Sequence, residues 1–207
     1  SAGSTTGTVN FTPTDDSVYE GNETAIVAIS SVSGADASES GSQSVTITIT
    51  ENESAPTVTL TRSAASIDEN SGSTITLTAT ISGVTDSAVT VALDTSGTAT
   101  EGTDYGTISD ITISAGATTG TATLDPTDDN IYEGDETATI DIGSVSGKSG
   151  VTENGTQQVS VTIAENESAP TVTLATSATT IAENAGTSLT LTATLSVATT
   201  ADVTVAL

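Results

Sequence analysis

The stretch DPTDDNIYEGDETATIDIG, residues 125–143, carries two kinds of information back to back. Its first part crowds Asp128, Asp129, Glu133 and Glu136 into nine residues broken by Asn and Gly, just after Pro126. Its second part, ETATIDIG, alternates polar and apolar side chains. Period-two alternation marks a strand with one buried face, and the Gly, Asn and Asp ahead of it are turn formers. An acid-loaded loop therefore feeds a half-buried strand. A near copy, TPTDDSVYEGNETAIVAI, stands at residues 12–29 and brings Asp15, Asp16, Glu20 and Glu23 to the same places.

Such a loop demands a positive partner, because close carboxylates repel one another at neutral pH. The chain cannot supply it. Against 27 Asp and Glu it has two basic side chains, Arg62 and Lys148, for a net charge of -25. A cation from solution can. The same imbalance argues against nucleic acid and anionic membrane surfaces as partners. Cys, His, Met and Trp are absent, which excludes disulfides, thiol and imidazole catalysis and a zinc site of the usual kind. No apolar run approaches the roughly 20 residues of a membrane span, so no membrane insertion is expected of this segment. The opening residues SAGSTTGTVN lack the charged and apolar regions of a signal peptide, and any export signal is expected outside the chain.

ENESAPTVTL occurs at 51–60 and again at 165–174. Residues 1–93 match 114–207 throughout, and only 94–113 occurs once. Repeats of this kind mean an array of like units. The boundaries follow from the Pro after ENESA: 1–55 is the later half of one repeat, 56–169 a whole repeat, and 170–207 the start of another. Within 56–169, alternation predicts seven strands at 57–67, 73–82, 87–94, 107–113, 118–125, 136–143 and 157–164. Their inward residues are Val58, Leu60, Ile75, Leu77, Ala79, Val89, Val91, Leu93, Ile140, Ile142, Val159, Val161 and Ile163. Seven short strands in about 110 residues, with no helical stretch, predict an all-β, Ig-like, seven-stranded antiparallel sandwich in tandem.

Loop parity then gathers the acids. In an antiparallel sandwich successive connections alternate between the two ends, so 68–72, 95–106, 126–135 and the exit after 164 share one end. That end receives Glu69, Asp104, the 128–136 acids, Glu165 and Glu167. A merely solvated face has no reason to sort by parity, whereas calcium, taking six to eight oxygens, needs carboxylates converging from several loops. In the first copy, Glu51 and Glu53 leave the last strand as Glu165 and Glu167 do.

ENSGSTITLTATI, GTATEGTDY and DPTDDNIYEGDETATIDI together resemble the Calx-beta domain, the calcium-binding sandwich of sodium-calcium exchangers and many bacterial surface proteins. The likeness covers the whole repeat and extends into both partial copies. It implies Ca2+ held by Glu69, Asp104, Asp128, Asp129, Glu133 and Glu136, with the carbonyl of Ile131 and the acids leaving the last strand. It further implies Asp15, Asp16, Glu20 and Glu23 in the first copy and Glu183 in the third. The exit segment departs from the family, with Glu165, Asn166 and Glu167 where strong calcium binders carry an aspartate run.

Rival motifs fit less well. An EF-hand begun at Asp16 places Gly21 correctly but puts Val27 where a bidentate Glu belongs. A glycosidase pair needs sugar-stacking aromatics, and the chain has three Tyr and one Phe. Tyr19 and Tyr132 follow the acid pairs and are read as packing beneath the loop. The N-x-S/T sequons at Asn10, Asn22, Asn52, Asn154 and Asn166 are read as chance matches in a Ser/Thr-rich chain. The expected function is a non-enzymatic calcium-binding repeat of an extracellular adhesin stalk or matrix fibre, with calcium stiffening the junctions. A ligand- or glycan-binding module and a calcium-sensing regulatory domain are the alternatives. Neighbouring repeats are the expected partners, and head-to-tail self-association into filaments would complete the two partial repeats.

Overall fold

The structure, a computed structural model, describes residues 3–184 and 186–207. Fifteen strands and, among the described residues, no helix make it all-β, as expected. They are β1 (Glu23–Ala28), β2 (Ser44–Ile49), β3 (Thr57–Arg62), β4 (Ser66–Asp68), β5 (Ile75–Ile81), β6 (Val89–Gly97), β7 (Ile111–Ile113), β8 (Thr119–Leu124), β9 (Ile131–Tyr132), β10 (Glu136–Ser146), β11 (Thr152–Glu153), β12 (Gln158–Ala164), β13 (Val172–Thr176), β14 (Leu191–Leu195) and β15 (Ala198–Thr199).

The middle segment closes into two sheets, β4-β12-β10-β6-β7 and β11-β3-β5-β8. The stretch 57–67 is not one strand. Its first part, β3, pairs antiparallel with β5, and after a break at residues 63–65 its second part, β4, crosses to the other sheet and runs parallel to β12. A sandwich edge shared in this way ties the two sheets together covalently. In β5, Ile75, Leu77, Ala79 and Ile81 point into the core while Thr76, Thr78 and Thr80 point out. The expected inward residues are buried, apart from Leu93 and Val159, which are partly buried and packed against the core. Ile111, Ile113 and Leu124, from the expected strands 107–113 and 118–125, and Tyr105, from the connection before them, join the core as well.

The two flanking segments pair in part. β1 and β2 repeat the register of β10 and β12, with Glu23 opposite Ile49 as Glu136 is opposite Ile163. β13 and β14 repeat that of β3 and β5, with Val172 opposite Leu195 as Val58 is opposite Ile81. The expected counterparts of β8, near residues 6–11, and of β6, at 203–207, are not strands. In the whole repeat β8 leans on β5 and β6 on β10, and neither support has a counterpart in the same flanking segment. Their apolar faces stay open, with Val9 91% and Ile26 71% exposed. Each flanking segment also touches the middle repeat through backbone. Tyr19 bridges to Thr85 in parallel, and β9 pairs in parallel with β15.

Candidate metal centre

One end of the sandwich collects the carboxylates, and β strands fix each of them. Glu69 follows β4, Asp104 lies in the connection from β6 to β7, and Glu133 lies between β9 and β10. Glu136 opens β10, while Glu165 and Glu167 leave β12. They form two groups: Glu69, Glu165 and Glu167 offer oxygens all within 4.8 Å of one another, and so do Asp104, Glu133 and Glu136. A small cavity lined by Glu69, Asp104, Glu133, Gly134, Glu136, Ile163 and Glu165 joins the two.

Glu165 is the hub. Its Oε2 accepts the N–H groups of Glu133 (2.6 Å) and Gly134 (2.8 Å), and its Oε1 that of Glu167 (2.9 Å). Two consecutive N–H groups can converge on one oxygen only if the chain curls, and Gly134 supplies the curl at φ 80°. Burial works against the charge on Glu165, but these N–H groups outweigh it and hold the carboxyl at about 2. Asp128 and Asp129 play a supporting part. Asp128 accepts from the Asn166 amide (3.0 Å), and Asp129 folds back to cap the N–H of Ile131 (2.6 Å) while giving its own N–H to Glu69 (3.4 Å). Neither Asp128 nor Asp129 belongs to the two close groups among the described residues, and Ile131 sits in β9 with its N–H satisfied by Asp129.

The first copy repeats the hydrogen bonds around the hub. Glu51 Oε2 accepts from Glu20 (2.6 Å) and Gly21 (2.5 Å), Asp16 caps Val18 (2.8 Å), and Asn52 donates to Asp15 (3.0 Å). Gly21 repeats the positive φ, at 75°. Asp16, Glu20, Glu23, Glu51 and Glu53 line one hollow. With no equivalent of Glu69 or Asp104 in residues 1–55, that hollow holds no group of three converging carboxylates among the described residues. Glu183 lies exposed in a turn, without the loops that would meet it.

The electrostatics are unbalanced where the oxygens converge. Burial, with repulsion from Glu165, Glu167 and Asp129 added, pushes Glu69 up to about 7 against the pull of the Asp129 N–H. Burial and the neighbouring Asp104 and Glu133 push Glu136 up to about 7 as well. Burial raises Glu133 and Glu167 too. No cationic side chain answers them. Arg62 donates to the carbonyl of Ala64, and Lys148 pairs with Asp86 at the far end of the repeat. Glu167 Oε2, close to the carboxylates of Glu69 and Glu165, is buried with no hydrogen-bond partner. These residues fit a hard divalent cation such as Ca2+, which binds through oxygens and would supply both the missing charge and the missing partner.

Sequence reasoning gave no site role to four contributors. Asn166 and Asn52 were visible only as parts of ENES, and Asp135 accepts the N–H of Glu165 (3.1 Å), as Asn22 accepts that of Glu51 (2.9 Å). Their signal was the repetition itself, since a polar residue recurs at each of these positions. The sequons at Asn22, Asn52 and Asn166 therefore overlap the acid cage.

Among solved structures, the chain is similar to the Apo-form Calx CBD1 domain at 21% identity and TM-score 0.43, covering 53% of this chain and 98% of that one. It is similar to the Calx CBD2 domain at 18% identity and TM-score 0.45, covering 54% and 87%. It is also similar to the calcium binding domain CBD12 of CALX1.1 at 24% identity and TM-score 0.40, covering 48% and 40%. No curated protein sequence matches it. The family model of the Calx-beta domain matches residues 1–53 and again 51–167. Across most of its length, then, the chain belongs to the Calx-beta domain family, whose members are calcium-binding regulatory or structural domains rather than enzymes.

Proposed function

We propose that residues 1–207 belong to a tandem array of calcium-binding sandwiches that serves as an extracellular bacterial adhesin stalk or matrix fibre. In this reading, calcium at each tip rigidifies the junction to the next repeat. The ligands are Glu69, Glu165 and Glu167 on one side and Asp104, Glu133 and Glu136 on the other, with Asp128, Asp129 and the Ile131 carbonyl in support. One observation carries the reading. The loop 126–135 both supplies Glu133 to the acid cage and, through β9, pairs with β15 of the following segment. An ion that orders this loop orders the contact.

Extracellular modules commonly bind calcium with dissociation constants on the order of 10⁻⁴ to 10⁻³ M, so a millimolar medium keeps such a site loaded. The exposed apolar faces of β1–β2 and β13–β14 supply surface for further repeats, whether these adjoin in one chain or meet head to tail from two chains. Light scattering separates these, because head-to-tail joining gives a mass that grows with concentration and is blocked by a 170–207 peptide.

The function is tested by titrating the chelator-stripped chain with calcium in a calorimeter and by measuring its maximum dimension by small-angle scattering before and after EDTA. Binding near 10⁻⁴ M with a chain that bends on chelation is the expected result. Absence of binding heat would sink the calcium reading. Sub-micromolar affinity would favour a regulatory sensor, and an unchanged dimension would confine calcium to the loops.

A further inference from the structure

The contacts between neighbouring repeats recur at the repeat spacing. At the first, the Tyr19 N–H donates to the Val84 carbonyl (2.9 Å), and Tyr19 bridges Thr85 in parallel. At the second, β9 and β15 place Ile131 opposite Ala198 and Tyr132 opposite Thr199, again in parallel. Tyr132 is the repeat counterpart of Tyr19 and Thr199 that of Thr85. Both sides of the contact repeat together, which chance packing of loose segments would not produce. Tyr19 thus does not pack beneath its own loop, as its sequence position suggests, but reaches the next repeat.

The receiving surface is built by its own repeat. Thr85 is 1% exposed, its hydroxyl donates to the Ser87 carbonyl (2.7 Å), and its carbonyl accepts the Gly116 N–H (2.9 Å). Beside it stands Lys148, one of the chain's two basic residues, with its side chain 11% exposed. Its Nζ pairs with Asp86 (2.5 Å), donates to the Glu20 carbonyl of the preceding repeat (2.5 Å), and lies 5.8 Å from the Tyr19 ring centroid. Gly150 leaves room for the tyrosine, because a Cβ there would collide with the Tyr19 hydroxyl oxygen. An ammonium held by a carboxylate, a carbonyl and an aromatic ring is well compensated and geometrically defined.

We propose that the base of the 56–169 repeat is a socket, formed by the Val84–Asp86 turn, Lys148 and Gly150, whose occupant is the Tyr19-Glu20-Gly21 tip of the preceding repeat, and that Lys148 is its latch. The proposal deepens the array reading and rests on it only in taking the two segments as neighbours; the latch itself needs no calcium. The latch is particular to this joint. Ala35 stands where Lys148 would fall in the first copy, and Thr200 replaces Asp86 in the third. The backbone bridge is therefore common to the joints, while the ionic part makes the first one distinct.

Hydrogen exchange followed by NMR on residues 1–207, in calcium and in EDTA, tests the socket. The Tyr19 amide should exchange at least ~10-fold more slowly than the exposed Gly7 amide, by the usual link between protection and local opening. Lys148→Met and Gly150→Ala should each abolish most of that protection while leaving the core Leu77 amide untouched. Tyr19 exchanging as fast as Gly7 in the unaltered chain overturns the socket. Full Tyr19 protection in Lys148→Met, with Leu77 also protected, overturns the latch. Protection that persists in EDTA sustains the socket even if the calcium reading fails, so the two can fall separately.

Discussion

Replacing Glu69 by Gln should shift stability in opposite directions with and without calcium. The Glu69 carboxyl is pushed from 4.5 to about 7 by burial first and then by Glu165, Glu167 and Asp129, so at pH 8 its ionised form opposes folding of the calcium-free repeat. Taken at face value, such a shift corresponds to roughly 3 kcal/mol. Water reaching the half-open pocket screens most of it, leaving ~1 kcal/mol. Gln keeps the shape and an oxygen that can accept the long 3.4 Å N–H of Asp129, while removing the charge. In EDTA at pH 8 the variant should therefore melt higher by about 4 °C, as expected for a domain of this size. With calcium the order reverses. The unaltered repeat gains about 2.7 kcal/mol per ion at one hundred times the dissociation constant, and the variant, lacking one charged donor, keeps only part of that gain. Scanning calorimetry in EDTA and in calcium reads both arms. A variant that melts below the parent in EDTA, or that retains the parent's full calcium shift, would refute the reasoning.

Glu165→Gln should behave in the contrary way, losing stability in EDTA by roughly 2 kcal/mol because three N–H donors lose a charged acceptor; urea titration measures it, and an unchanged midpoint would show that the donors find water instead. Gly134→Ala should cost about 1 kcal/mol, since φ 80° is strained for a side chain although the space around it is open; the calcium shift should shrink with it, and a stabilised variant would contradict the curled-loop account. Stability should also depend on pH, and calcium should remove that dependence near neutrality. Glu69 and Glu136 hold protons up to about 7 in the fold and to 4.5 when unfolded, so the calcium-free repeat binds more protons folded and loses stability as pH rises through that window. Saturating calcium displaces those protons, so that neither state holds them above 4.5 and the melting temperature should be flat over the same window; parallel curves in EDTA and calcium would count against both assignments. Below it, protonation of Glu165, held at about 2, removes stability again as pH falls.

Alternation and repetition determined much of this protein before any coordinate was known. The period-two pattern of ITLTATI tells which of its residues face inward, because a strand's side chains alternate strictly and a one-residue slip would bury threonine instead. Loop parity placed Glu69, Asp104, Glu133, Glu136, Glu165 and Glu167 at one end, since antiparallel connectivity leaves no other choice. Tertiary structure decided the rest. Only folding splits 57–67 between two sheets, because which edge a strand joins depends on partners about a hundred residues away. Only the curl at Gly134 makes Glu165 the hub and relegates Asp128 and Asp129 to supports, though in sequence all of these acids look alike. The same holds for Tyr19. Its neighbours in the chain are acids, and nothing local announces that its ring belongs beside Lys148, since that pairing arises from the way one repeat's tip meets the next repeat's base.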